Sequence, residues 1–217
     1  MNFYDNVNWP FHILFTVFFL GAGLLFLVLD QKRRKAFAKA CGEVGLVPQR
    51  RFSEPALESL QQFDLFTDVL LAADTLHVKG RFHNRRGMLL FDMNYRSVNP
   101  ADFPSLVLLC IVVDLDSQPP PFTCIPASLA DQLQAKPQQA RYYPEEDGFN
   151  EAFQIYCDDF LFARNLLAAK PGWLTQDGPT FCETRGKQLL LARAGGLFPE
   201  ELEARGEWAE AAAASFG

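Results

Sequence analysis

The chain has 217 residues, of which 49% are hydrophobic, and a formal net charge of −6. Its first 39 residues contain five cations and two acids, so the remaining residues carry −9. This acidic balance argues against nucleic acid as a partner, because phosphate neutralisation requires a concentrated basic surface. The residues from 40 onward are numerous enough for one domain with its own hydrophobic core.

A run of nineteen residues, 11–29, contains no Asp, Glu, Lys or Arg. A helix of that length covers roughly 28 Å at ~1.5 Å per residue, close to the hydrocarbon thickness of a bilayer. The run therefore predicts a single transmembrane helix. A cleaved signal peptide is disfavoured because the positive charge follows the apolar core instead of preceding it. A buried core helix is the other alternative, although unbroken apolarity on all sides is unusual in a soluble protein.

A basic collar follows the apolar run and consists of Lys32, Arg33, Arg34 and Lys35. Residues 1–10 contain no Lys or Arg, and an excess of these cations marks the cytoplasmic side of a membrane. The predicted segments are an extracytoplasmic N-terminus (1–10), a transmembrane helix (11–29), a basic juxtamembrane helix that meets lipid headgroups (30–45) and a cytoplasmic domain (46–217). The predicted location is the bacterial inner membrane, which the chain crosses once.

The predicted transmembrane helix has an aromatic side and an aliphatic side. At ~100° per residue, five phenylalanines and one alanine fall within roughly 100° of one another. This phenylalanine ridge comprises Phe11, Phe15, Phe18, Phe19, Ala22 and Phe26. It is a candidate docking face for a partner in the membrane. The alternative is that these side chains simply face lipid.

The first half of the domain is predicted to be rich in strands. The anchor helix is expected to end at Gly42 or Gly45, since glycine serves as a C-cap. Period-two alternation predicts a hairpin whose second strand has Asp92 and Asn94 on a polar face. An unbroken apolar run predicts a central strand that is covered on both faces. The elements are a helix at 55–63, hairpin strands at 75–83 and 88–96, the central strand at 106–113 and a short strand at 122–125.

The second half is predicted to alternate helices with strands. Asp158 or Asp159 is expected to cap the N-terminus of a helix, and residues 136–148 are expected to form a surface loop. Runs of adjacent strands predict an α+β domain with a mainly antiparallel sheet and flanking helices. The remaining elements are helices at 126–133, 160–169, 171–174 and 199–215, a strand at 152–157, and hairpin strands at 180–184 and 188–193.

The span, the collar and the segments FDMNYRS, AFQIYCDD, ARNLL and QLLLAR together resemble uncharacterised bacterial single-span membrane proteins with a cytosolic α+β domain. The resemblance covers most of the chain but includes no signature motif. It implies a bacterial membrane protein and transfers no functional residue.

No motif in the domain indicates catalysis. A GxSxG motif is absent, and His77 and His83 fall on the charged face of one predicted strand. The five cysteines are odd in number and lack CxxC spacing, so we expect buried, reduced thiols rather than disulfides or a metal site. Asp114 and Asp116 share a face at a strand end, but two acids alone rarely form a calcium site. We expect no enzymatic activity, no cofactor and no metal.

Four cations surround the first predicted hairpin of this otherwise acidic domain: Lys79, Arg81, Arg85 and Arg86. This hairpin patch is a candidate contact with lipid headgroups or an acidic partner. The alternative is solvated charge on an exposed strand.

These features together predict a non-catalytic, single-span accessory subunit that docks on a larger integral membrane complex, for example a respiratory or photosynthetic one. The alternative is a free membrane-tethered binding module that recognises lipid headgroups or a soluble protein. The expected partners are an integral membrane protein complex and the lipid bilayer, without nucleic acid.

Overall fold

The computed structural model describes residues 9–49, 52–67, 76–82, 85, 87–95, 106–133, 135–144, 149–169, 172–176 and 178–217. For residues 9–12, 67 and 76–79 it describes the backbone alone. Parts of the sequence predictions lie outside the described residues: the N-terminus up to residue 8, His83, Arg86, and the side chains of Phe11, His77 and Lys79.

The first helix, α1 (Trp9–Val44), is unbroken over 36 residues and joins the predicted transmembrane and juxtamembrane segments. It is followed by Gly45, whose φ of 71° is a left-handed conformation that glycine adopts without steric cost. Among the described residues, this is the one helix long and apolar enough to cross a membrane, with a mean hydropathy of 2.4 in its apolar stretch. None of that stretch is buried against the domain, so the alternative of a buried core helix is wrong.

The domain is built on an antiparallel sheet, in which the described residues form nine strands in the order β1-β2-β3-β4-β9-β8-β5-β7-β6. Every neighbouring pair is antiparallel. The fold class predicted from the sequence, α+β with a mainly antiparallel sheet, is confirmed. The strands are β1 (Leu46–Pro48), β2 (Leu76–Phe82), β3 (Leu89–Tyr95), β4 (Leu106–Asp114), β5 (Phe122–Pro126), β6 (Arg141–Tyr142), β7 (Phe153–Cys157), β8 (Phe181–Arg185) and β9 (Gln188–Ala194).

Helices cover both faces of this sheet. The helices of the domain are α2 (Glu54–Gln61), α3 (Asp64–Thr67), α4 (Ala127–Leu133), α5 (Phe149–Ala152), α6 (Phe160–Ala168) and α7 (Leu202–Ala214), with 3-10 turns at Gly172–Leu174 and Pro199–Glu201. One apolar cluster joins the end of α1, α6 and α7 to one face of the sheet, and a second joins α2, α3 and α4 to the other. Strand β4 contributes Ile111 to the first cluster and Cys110 to the second. This explains why its sequence is apolar at consecutive positions, as predicted.

Local signals in the sequence placed most of the elements correctly. Asp159 caps α6 by accepting a hydrogen bond from the backbone N–H of Phe162 at 2.9 Å. The turn between β8 and β9 uses Gly186 at a φ of 55°, and the closing helix starts with the 3-10 turn Pro199–Glu201.

The structure corrects the sequence predictions at five places. The predicted surface loop contains the edge strand β6, which pairs with β7. On the predicted polar face of β3, Asp92 is only 9% exposed and Asn94 is half-buried, because the cluster that includes α7 covers that face. Strand β1 and the short helices α3 and α5 were not predicted, since each is too short to show a period of its own.

Candidate functional site

The apolar half of α1 presents its phenylalanines without any cover from the domain. Phe18 is 70% exposed and Phe26 is 72% exposed, and Ala22 between them is also exposed. The rings of Phe15 and Phe19 lie 4.4 Å apart between centroids, and those of Phe18 and Phe19 lie 5.8 Å apart. These distances are typical of interacting aromatic pairs. Phe15, Phe18 and Phe19 therefore form one continuous aromatic surface, and Phe26 lies two turns further along the same side.

The other half of α1 packs on the domain. Cys41 is fully buried, and Phe37, Ala40 and Val44 are partly buried against the same apolar cluster. The helix contacts β1, α7 and the 3-10 turn Pro199–Glu201. Because no linker separates the two halves, the domain is held in a fixed rotational position around α1.

The ridge and the domain lie on the same side of α1. At ~100° per residue, the mean direction of Phe37, Ala40, Cys41 and Val44 differs from that of the phenylalanine ridge by roughly 40°. The aliphatic side of the apolar half faces the opposite way. A membrane partner that packs on the ridge would therefore sit directly above the domain.

The basic collar is divided by the same geometry. Lys32 and Lys35 are exposed and, by helical angle, point away from the domain. Arg33 and Arg34 border a crevice of about 530 Å³ between α1 and the domain. The Nε of Arg34 lies 2.8 Å from an Oδ of Asp30. The collar predicted as one basic surface thus has a lysine side and an arginine side.

The hairpin patch is also divided, because its described arginines lie on different faces of the sheet. Arg85 packs on α7, where it forms an ion pair with Glu210 at 3.0 Å and is 14% exposed. It lies so close to Gly206 that a Cβ there would be 2.9 Å from its Nη1. Arg81 is exposed and lines a pocket of about 240 Å³ beside α2, together with Ser59 and Gln188. The structure does not bring Arg81 and Arg85 together.

Asp114, at the end of β4, has a structural partner on each side. Its Oδ1 accepts a hydrogen bond from Nε2 of Gln188 at 3.0 Å. Gly87, at a φ of 47°, lies against the carboxylate, and a Cβ at that position would come within 1.8 Å of Oδ2. Over the part of the chain that the structure describes, no group of three or more His, Cys, Asp or Glu side chains could hold a metal ion.

A buried carboxylate that the sequence reading missed fixes α3 to the sheet. Glu183 on β8 is fully buried and accepts hydrogen bonds from the backbone N–H groups of Asp64 (2.7 Å) and Leu65 (3.3 Å). It also forms an ion pair with Nε of Arg185 at 3.0 Å, and Arg185 binds Asp64. Burial raises the pKa of Glu183 from 4.5 to about 7, although the two N–H groups and Arg185 oppose the rise. The available signal was an acid inside the predicted strand 180–184, two positions before the basic Arg185.

The five cysteines are buried and unpaired, as the sequence predicts. Burial raises the pKa of the thiols of Cys110, Cys124 and Cys182. Because the thiolate is the nucleophile and the metal ligand, these groups are poorly suited to either task.

One long apolar helix followed by an α+β domain with an antiparallel sheet defines the structural class of this protein. A solved structure with a similar fold is that of the mycobacterial trehalose monomycolate transport factor A, TtfA, with a TM-score of 0.52 over 85% of this chain and 92% of that chain. The two sequences are 12% identical, so the similarity concerns the fold. No protein-family model matches the sequence, and no curated protein matches it.

Proposed function

We propose that this protein is a non-catalytic accessory subunit of an integral membrane complex, anchored in the bacterial inner membrane by α1. In this proposal the N-terminus faces out and the domain lies in the cytoplasm, because the collar follows the apolar run. The subunit docks through the phenylalanine ridge, and the domain braces the cytoplasmic surface of the same partner.

The observation that carries the proposal is the shared side of α1. An aromatic ridge that faced only lipid would need no particular rotation relative to the domain. Here the mean directions of the exposed ridge and of the packed residues differ by roughly 40° on one unbroken helix, at ~100° per residue. The solved structure with a similar fold belongs to a protein named as a transport factor, and that name is compatible with an accessory role.

The test is gentle detergent extraction from native membranes, followed by size-exclusion chromatography and mass spectrometry of the co-eluting proteins. We expect the wild-type chain to co-elute with one stoichiometric set of integral membrane proteins. A variant with Phe15, Phe18, Phe19 and Phe26 all changed to Leu stays apolar, so it should remain in the membrane and elute without that set.

The matched control changes the aliphatic side of the same helix segment. It carries Ile13→Leu, Val17→Leu, Leu24→Ile and Leu27→Ile, and it should retain the partner set. Elution of the wild-type chain alone, or equal loss of partners in both variants, would contradict docking through the ridge.

A second candidate is a free membrane-tethered module that binds an acidic ligand or headgroup through the domain. Its support is Arg81, which is exposed beside a polar pocket, whereas Arg85 is ion-paired with Glu210. This candidate predicts elution as a monomer or dimer, and loss of binding to anionic vesicles in an Arg81→Gln variant. Unchanged vesicle binding in that variant would count against it.

A further inference from the structure

We propose that the crevice between α1 and the segment 197–199 is a binding site for an anionic membrane phospholipid, with Arg33 as the ligand of the phosphate group. The inference depends on α1 lying in a bilayer but not on the existence of a partner complex, so the two proposals can fail separately.

The position of the crevice along α1 is the first argument. It starts at Asp30, the first charged residue after the apolar run, and extends about two turns towards the domain. With residues 11–29 in the hydrocarbon region, this level corresponds to the headgroups. Its volume of about 530 Å³ lies within the range of small-molecule sites. A lipid of the adjacent leaflet can enter without leaving the membrane plane.

The charges of the crevice are the second argument. Arg34 is balanced by Asp30, whereas Arg33 forms no ion pair with any residue that the structure describes. The guanidinium carbon of Arg33 lies 5.9 Å from the ring centroid of Phe198, within the distance of a cation–π contact. The paired N–H groups of a guanidinium match the oxygens of a phosphate.

The walls are the third argument, since they combine Arg33 and the Asp30–Arg34 ion pair with apolar surface. Apolar side chains line the crevice on both α1 and the domain: Phe37, Ala38, Pro48, Leu197 and Pro199. Phe198 is 51% exposed at the level of Arg33, where an aromatic ring suits the bilayer interface. In a phospholipid, the phosphate can bind Arg33, while the glycerol backbone and the first acyl carbons cover the apolar side chains of the crevice. A fully polar anion would leave the apolar walls uncovered.

The experiment uses the full-length chain in a neutral detergent, with phosphatidylglycerol added, and counts retained lipid by native mass spectrometry. Arg33→Gln should lower the retained phosphatidylglycerol roughly tenfold or more, because a charge-assisted hydrogen bond is lost. Lys35→Gln removes the same charge from the opposite side of the collar and should change retention less than twofold. Phe198→Ala should give a smaller loss than Arg33→Gln.

Two further measurements distinguish binding of a phospholipid from binding of free phosphate and from effects of a protein partner. Millimolar inorganic phosphate should not displace the lipid, since it lacks the apolar part. The ridge variant with four Phe→Leu changes should retain phosphatidylglycerol like the wild type, even if it loses its protein partners. If Arg33→Gln and Lys35→Gln lower the retained phosphatidylglycerol equally, the lipid responds only to the net charge of the collar, and the proposed site is wrong. Displacement by inorganic phosphate, or unchanged retention in a folded Arg33→Gln variant, would overturn it as well.

Discussion

The two halves of α1 are continuous in backbone but opposite in their surroundings. In the apolar half, Phe18 is 70% exposed, whereas in the second half Cys41 is fully buried in the domain. The apolar half is hydrophobic on all sides, whereas the second half packs one apolar stripe on the domain and carries its charged residues elsewhere. A helix that is apolar all round and uncovered requires a non-aqueous environment. A helix with one apolar stripe requires only one neighbour.

The comparison predicts that charge in the apolar half removes the chain from the membrane. Leu20→Asp together with Leu24→Asp places two acids near the bilayer centre, at a cost of roughly 5–7 kcal/mol on insertion scales. We expect the variant to leave the carbonate-washed membrane fraction. The pair Leu20→Ile and Leu24→Ile should remain there. Unchanged membrane association of the acidic pair would mean that α1 is not a transmembrane anchor.

Charge in the second half should act on folding instead of insertion. Cys41→Asp buries an acid without a partner, which we expect to destabilise the domain by roughly 3 kcal/mol or more. The midpoint of thermal unfolding, followed by the fluorescence of the buried Trp173 and Trp208, should fall by roughly 6–12 °C or more.

The control for this prediction lies one residue away on α1. Gly42→Asp introduces the same charge where nothing lies within 4 Å of a new Cβ, so it should change the midpoint little. Both variants should stay in the membrane fraction. If Cys41→Asp and Gly42→Asp destabilise the domain similarly, the side of α1 that includes Cys41 is not the side that packs on the domain.

A smaller difference between the regions concerns pH, since the buried carboxylate Glu183 lies in the domain. The pKa of Glu183 is about 7 in the folded domain, above its ordinary value of 4.5. The contribution of this carboxyl group to the free energy of unfolding is therefore fully present below pH 4.5 and is lost as pH rises towards 7. The loss is on the order of 3 kcal/mol.

Glu183→Gln should remove this part of the pH dependence, because the amide does not titrate. Unfolding midpoints measured from pH 4.5 to 8 should therefore fall with pH in the wild type and fall less in the variant. Parallel curves for the two proteins would show that the Glu183 carboxyl group is not protonated on folding. The membrane association of α1 should be independent of Glu183 in either case.

Local sequence patterns were sufficient to predict the long apolar helix and most strands and helices. The apolar run predicts that the first half of α1 has no charged face, and the continuous apolar pattern of β4 predicts that both faces of this strand are covered. Gly45 and Asp159 mark helix ends through backbone conformation and a capping hydrogen bond. These signals act over a few residues, so they can be recognised in the sequence alone.

The tertiary structure decided everything that depends on contacts between distant segments. It placed β9 beside β4, buried the predicted polar face of β3, and put Arg81 and Arg85 on different faces of the sheet. It also aligned the domain with the phenylalanine ridge and brought Arg33 against Phe198, which is 165 positions later in the chain. A helix pattern records which residues share a side, but only packing fixes what that side faces. The sequence by itself therefore determined a long apolar helix and a fold class, and the packing of α1 on the domain determined the candidate sites.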